Sequence, residues 1–210
     1  MKSVRLKICG LTRAEDAQCA LRHGADYLGF VFAESPRRVR PEDIRPWLDE
    51  LRERAELVGV FRDQSYEEVA ELVEQLDLDL VQLHGSERGE EWLGLPVRVI
   101  EARAVMQARV APSRLRDSSW ATLLDSASPS GGGSGQVFPW QLAVSLAKRR
   151  RVFLSGGLTA FNVARAISQV HPFAVDVSSG VESAPGLKDP DKLAAFARAV
   201  HDLKEGGETQ

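Results

Sequence analysis

Cys9, Asp125 and a pair of glycine turns are the parts of this sequence best equipped for chemistry. Cys9 closes the short run from Val4, and Lys7, two residues earlier, shares its face of a strand. If that face looks into a site, the cation lowers the thiol from its free pKa of ~8.5 toward the thiolate, a form able to remove a proton. The competing reading is a buried, inert cysteine. Asp125 ends the apolar run Ala121 to Leu124. A carboxyl there is costly unless it is hydrogen-bonded or put to use, and desolvation raises its pKa into the range of a general acid. Its plainer role is to cap the following loop. The glycine turns are Gly156-Gly157, after Val152 to Ser155, and Ser178-Ser179-Gly180, after Ala174 to Val177. Residues with so little side chain let backbone N–H groups approach a ligand. Where the first turn enters a helix, through Thr159, unpaired N–H groups and the helix dipole both favour an anion such as phosphate. A tight strand-to-helix turn with no ligand is the alternative.

Other polar residues fall at the ends of apolar runs. His84 and Asp176 each have two readings, orienting a substrate hydroxyl or holding a neighbouring loop. Arg37-Arg38-Val39-Arg40 is a basic cluster that either clamps a carboxylate in bidentate fashion or is a solvated charge run. Ser126 to Gly135 is the one low-complexity segment, and its place directly after Asp125 reads as a lid rather than a spacer. Cys19 lies within a helical stretch and is left as a buried thiol.

The elements that must position these residues alternate. Strands are expected at Val4 to Cys9, 26 to 32, Leu57 to Phe61, Leu80 to Leu83, Val97 to Ala102, Ala121 to Leu124, and the two runs before the glycine turns. Helices follow most of them. Thr12 with Glu15 and Ser65 with Glu68 read as capping boxes. Gly24 stops the first helix. Pro46 places the start of the second near Glu42 or Asp43. A short helix includes Trp92, another starts near Phe138, and Asp189-Pro190 opens the last. The stretch after the fifth strand, to about Ser119, has no clear pattern. Eight strands in alternation with helices in one domain over residues 1 to 210 predict a closed (β/α)8 barrel rather than an open sheet, with a frayed tail from 205 to 210. In such a barrel, functional side chains come from the C-terminal ends of strands, and the last two loops hold phosphate.

Composition sets the outer limits. The chain has 210 residues, 43% hydrophobic and 27% charged, with a net charge of −3. That supplies a large core and no global basic field for nucleic acid or an anionic membrane. The two cysteines have no metal-ligand spacing, and no apolar run approaches the ~20 residues of a membrane span. A reduced cytoplasmic protein is expected, either monomer or homodimer.

Taken together, Lys7-Ile-Cys-Gly-Leu-Thr12, Gly29-Phe-Val-Phe32, Ser35-Pro-Arg37, Val81-Gln-Leu-His-Gly85, Leu123-Leu-Asp125, Gly132-Gly-Ser-Gly135 with Phe138 and Trp140, Leu154-Ser-Gly-Gly-Leu158 and Val175-Asp-Val-Ser-Ser-Gly-Val-Glu182 resemble phosphoribosylanthranilate isomerase of tryptophan biosynthesis. The resemblance runs from residue 5 to about 200. It implies the Amadori rearrangement of N-(5-phospho-β-D-ribosyl)anthranilate to 1-(2-carboxyphenylamino)-1-deoxy-D-ribulose 5-phosphate on the same barrel. It also implies Cys9 as general base and Asp125 as general acid. Gly156, Gly157, Ser179 and Gly180 would then hold the phosphate, Arg37 the anthranilate carboxylate, and Asp176 a ribose hydroxyl. No metal or organic cofactor is implied, since the substrate nitrogen serves as electron sink. Gln136, Pro139 and Glu101 depart from the family pattern, which bears on lid closure and on charge near the substrate. Two rivals stand beside this reading. The related ribotide isomerase of histidine synthesis is expected to use aspartate where Cys9 stands, and the other rival is a barrel that binds a phosphorylated ligand without turnover.

Overall fold

The computed structural model describes residues 4–87, 89–106, 109–115, 118–126 and 138–205. Eight parallel strands close on themselves: β1 (Arg5–Cys9), β2 (Tyr27–Val31), β3 (Glu56–Phe61), β4 (Leu80–Leu83), β5 (Arg98–Met106), β6 (Ala121–Ser126), β7 (Val152–Leu154) and β8 (Ala174–Val177). Each pairs with the next in chain order, and β8 pairs with β1 through Arg5↔Ala174 to Ile8↔Val177. The (β/α)8 barrel expected from the alternation is the fold.

Closure gives every strand an inner and an outer face, which the period-2 side-chain alternation fills differently. Outward residues such as Leu6, Ile8, Leu28, Phe30, Val81 and Leu154 join the main core under the helices. Inward residues near the strand starts, among them Tyr27, Val58, Leu80, Ile100, Leu123 and Phe153, form a separate apolar plug. Tyr27 and Phe153 meet edge to face at 5.2 Å. Above the plug the inward positions turn polar, with Lys7, Gln82 and Asp176 all buried. A barrel interior that changes from apolar to charged along its axis has its chemistry at the far end.

Among the described residues six helices cover the outside: α1 (Ala14–Arg22), α2 (Pro41–Arg52), α3 (Tyr66–Leu76), α4 (Gln141–Ala147), α5 (Val163–Val170) and α6 (Pro190–Glu205). The Ser65/Glu68 capping box is formed, and the Asp189 carboxylate accepts from the amides of Asp191 and Lys192 at the head of α6. Gly24, with φ +75°, follows α1 as expected.

Four local expectations are corrected. Thr12 does not cap α1, because its hydroxyl donates to the Gly186 carbonyl at 2.6 Å, and the helix starts after Arg13 without a side-chain cap. α2 begins at Pro41, whose fixed φ suits a first helical position, rather than at Glu42 or Asp43. α5 starts at Val163, not through Thr159. Asn162 instead accepts from the Thr159 amide and donates to the Gly157 carbonyl, both at 2.9 Å, so a turn stands between the glycines and the helix. β5 runs on to Met106, where Arg109–Val110 folds back antiparallel on it. Trp92 lies in the short 3₁₀ segment Glu90–Gly94. Residues 127 to 135 of the lid segment, Gln136, and the tail from 206 lie outside the described residues.

Candidate active site

The C-terminal ends of the strands open into one cavity of ≈ 380 Å³. Its wall includes Cys9, Arg37, His84, Asp125, Gly156, Gly157, Asp176, Ser179 and Gly180, the residues to which the sequence reading gave a part in catalysis or substrate binding. Gln82, Ser155 and Ser178 add to its polar surface. Three buried polar atoms there, Gln82 Oε1, Asp125 Oδ1 and Ser178 Oγ, have no hydrogen-bond partner among the described residues. Orphaned polar atoms cost about 1–3 kcal/mol each when buried, and a polar ligand relieves that cost.

Lys7 and Asp176 sit opposite each other in the β1–β8 register. Lys7 Nζ donates to Asp176 Oδ1 at 2.7 Å, fully buried, and Ser155 Oγ donates to Asp176 Oδ2 at 2.9 Å. Both oxygens of Asp176 are therefore engaged. Burial pulls Lys7 down, but Asp176 and Cys9 outweigh it and leave the ammonium firmly charged. Cys9 is the next inward residue on β1, and its register partner on β2 is Gly29. A Cβ at Gly29 would stand 2.9 Å from Cys9 Sγ and 3.2 Å from Lys7 Nζ. The glycine inside β2, which the sequence reading quoted as part of a motif without giving it a role, is thus the space in which the thiol and ammonium meet. Gly29→Ala is expected to displace Sγ and lower kcat about tenfold or more, with inhibition by inorganic phosphate unaltered. Parallel loss of phosphate inhibition in a titration of the variant would show a general collapse of the site instead.

Lys7 lowers the thiol as the sequence spacing suggested, but burial outweighs it. Burial pushes Cys9 up, and the help from Lys7 is opposed by Asp176, its ion-pair partner, so the net direction is upward. Asp125 behaves as expected of an acid. Burial, reinforced by Asp176, raises it from 3.8 to about 6 against the opposing hydrogen bonds from Ser126. One carboxylate thus acts on both candidate proton-transfer groups. His84 is lowered to about 4 by burial and then by Lys7, so its ring is neutral at physiological pH, and its Nε2 lies against the Gln82 amide.

The two glycine turns come together as the sequence proposed. Gly156 and Gly157 take φ of +86° and +65°, and Gly156 packs so tightly on β6 that a Cβ would lie 2.9 Å from Asp125 Oδ1. Gly180, in the 3₁₀ turn Ser179–Val181, packs on the Leu158 carbonyl, which a Cβ would meet at 2.0 Å. Among the described residues none accepts from the amides of Gly156, Gly157 or Leu158. Asn162 holds the Gly157 carbonyl, a role visible in the sequence only as an amide side chain shortly after paired glycines.

Arg37 clamps a carboxylate, but in this structure it belongs to Glu182, with Nε at 2.8 Å from Oε1 and Nη2 at 2.7 Å from Oε2. Glu101 is corrected as a residue near the substrate. It does not line the cavity; it accepts from Ser113 Oγ at 2.7 Å and from the Arg114 amide, holding the segment after β5. Pro139 is exposed, and Trp140 is buried beneath the Arg165 guanidinium, 5.3 Å from its ring centre. Among the described residues no group of three or more His, Cys, Asp or Glu is placed to hold a metal, and no helix is long and apolar enough to cross a membrane.

Residues 6–199 match the family model described as N-(5'phosphoribosyl)anthranilate (PRA) isomerase. An N-(5'-phosphoribosyl)anthranilate isomerase of Pelobacter propionicus is 42% identical over 203 residues, covering 96% of this chain and 97% of that one. The phosphoribosyl anthranilate isomerase structure from Thermus thermophilus superimposes with a TM-score of 0.84 at 41% identity, covering 95% of this chain and all of the other. A further phosphoribosyl anthranilate isomerase, solved in complex with reduced 1-(o-carboxyphenylamino)-1-deoxyribulose 5-phosphate, gives a TM-score of 0.80 at 38% identity over 95% of this chain and 100% of that chain. With a matching barrel and matches of this length, the chain belongs to the N-(5'-phosphoribosyl)anthranilate isomerase family.

Proposed function

We propose that this cavity carries out the Amadori rearrangement of N-(5-phospho-β-D-ribosyl)anthranilate, with Asp125 as general acid and Cys9 as general base. The observation that carries the reading is the shared wall: a carboxyl raised to about 6 and a thiol beside a buried ammonium line one cavity with two abutting glycine turns. Asp125, protonated in part at neutral pH, donates to the furanose ring oxygen and opens the ring to a protonated imine. The imine draws electrons from C2′, and Cys9 as thiolate removes the proton there. The enolamine that results tautomerises to the ketone. Cys9 rests mainly as thiol, and the cationic imine arriving beside it favours the thiolate at the moment of need. A thiol base works only while reduced, so the reading carries a cytoplasmic location with it.

The phosphate goes to the amides around Gly156, Gly157, Ser179 and Gly180, the first two held by left-handed backbone and the Asn162 brace. Arg37 takes the anthranilate carboxylate. His84, as a neutral ring, and Asp176 face the ribose. Because a Cβ at Gly180 would meet the Leu158 carbonyl at 2.0 Å, Gly180→Ala is expected to part the two turns. That raises KM and weakens competitive inhibition by inorganic phosphate about tenfold or more. An unaltered phosphate inhibition constant would remove the phosphate from this place.

Loss of anthranilate-ribotide fluorescence on adding purified protein tests the reaction itself. Turnover is expected with this substrate and not with the aminoimidazole carboxamide ribotide of histidine synthesis; the reverse preference would overturn the assignment.

A further inference from the structure

Buried Glu182 and Lys188 and half-buried Arg37 form a cluster at the rim of the cavity whose charges do not cancel. Glu182 Oε1 accepts from Arg37 Nε at 2.8 Å and Lys188 Nζ at 2.8 Å, and its Oε2 accepts from Arg37 Nη2 at 2.7 Å. Lys188 Nζ also donates to the Cys9 carbonyl at 2.6 Å and to the Ser178 carbonyl at 3.3 Å. All three donors of Lys188 are spent. Its side chain is 1% exposed and that of Glu182 5%. Two cations share one carboxylate, so the cluster retains one positive charge beside the cavity.

We infer that Glu182 is a positioning residue that selects for the substrate's carboxylate by fixing the angle of the Arg37 guanidinium. This deepens the proposed function and rests on it. A guanidinium presents five N–H donors in a rigid fork. Glu182 takes the edge made by Nε and one hydrogen of Nη2 and leaves the outer edge made by Nη1 and the other hydrogen of Nη2; among the described residues none accepts from Nη1. Arg37 lines the cavity and passes over Gly10, where a Cβ would stand 2.6 Å from Arg37 Cδ. The aliphatic part of the side chain is confined by that glycine, and its head by Glu182. Lys188 holds Glu182 in turn and ties it to the ends of β1 and β8, so the free fork keeps a fixed relation to Cys9. A planar aromatic carboxylate meeting that fork end-on neutralises the remaining charge.

Two inhibitors separate this role from a merely structural one: reduced 1-(o-carboxyphenylamino)-1-deoxyribulose 5-phosphate and its phenylamino counterpart without the carboxyl group. Wild type is expected to prefer the carboxylated compound by about 10²-fold. In Glu182→Gln the side-chain amide sets a donor against an Arg37 donor and turns the fork away. The preference then shrinks at least about tenfold, while affinity for the carboxylate-free compound stays within about twofold. KM for substrate rises by more than kcat falls. Should Glu182→Gln not accumulate as folded protein, Glu182→Asp carries the test, with about a threefold smaller preference than wild type. A preserved preference in the variants, or parallel weakening of both inhibitors, overturns the positioning role. Wild-type indifference to the carboxyl group is a separate result, which removes the Arg37 assignment and this inference with it.

Discussion

Cys9→Ala lowers kcat by at least about 10² and leaves KM within a few-fold, as measured by the fluorescence assay. The methyl group cannot take the C2′ proton, and neighbouring groups are poorly placed to replace it. The Lys7 ammonium is held charged by Asp176 and has no lone pair to offer. Asp176 is engaged by Lys7 and Ser155. His84 is neutral and so able to accept a proton, but its pKa of about 4 makes it a weak base. In the proposed mechanism substrate affinity comes from the glycine turns and Arg37, which the change does not touch. Wild-type turnover in Cys9→Ala would refute the base assignment.

Asp125→Asn is expected to lose kcat by about 10²–10³ and at the same time to stabilise the fold above pH 6. The loss follows from an amide that cannot protonate the ring oxygen. The gain follows from the sign of the shift. The folded-state pKa of about 6 lies above the ordinary 3.8, so ionising Asp125 costs more in the folded protein than in the unfolded chain. Its contribution to stability is neutral below about pH 4, turns unfavourable as pH rises through the window from about 4 to 6, and is fully unfavourable above. Asparagine removes that burden, about 1–3 kcal/mol at pH 8 and little at pH 4. Thermal melts of both proteins at the two pH values test this. A stabilising effect equal at both pH values would show that the carboxyl is not raised.

The same shifts shape the rate. The proposed mechanism needs Asp125 protonated and Cys9 ionised, yet the acid has the lower pKa and the base the higher. At pH 7 about a tenth of Asp125 is protonated, and a smaller share of Cys9 is thiolate. The product of these fractions is flat between the two pKa values and falls on either side. In kcat, where substrate phosphate is already bound, the acidic break is therefore assigned to Asp125, although the group that becomes unusable below it is the thiolate.

The barrel was legible because parallel strands buried on both faces leave apolar runs at regular intervals. The side chains that end those runs were legible as candidates for the same reason: Cys9, His84, Asp125 and Asp176 interrupt an otherwise apolar alphabet. What could not be read was pairing at long range. Thr12 fits a capping box in every local respect, but its hydroxyl belongs to Gly186, 174 residues away. Lys7 is an aid to the thiol, but burial outweighs it and its partner Asp176, 169 residues on, opposes it. Arg37 was legible as a carboxylate clamp, whereas the Glu182 carboxylate that orients it, 145 residues away, was quoted only as part of a motif. Glu101 was tied to charge near the substrate through its departure from the family pattern, and its side chain instead holds the segment after β5, since one position along a strand decides which face a side chain takes.

The central claim is that Cys9 and Asp125 act on one ribose held by its phosphate at the paired glycine turns. A crystal structure with reduced 1-(o-carboxyphenylamino)-1-deoxyribulose 5-phosphate measures this directly. The phosphate is expected on the amides around Gly157 and Gly180, with Cys9 Sγ within ~4 Å of C2 and an Asp125 oxygen at ~3 Å from the hydroxyl derived from the ring oxygen. A sugar phosphate bound with either side chain out of reach of those atoms would contradict the account.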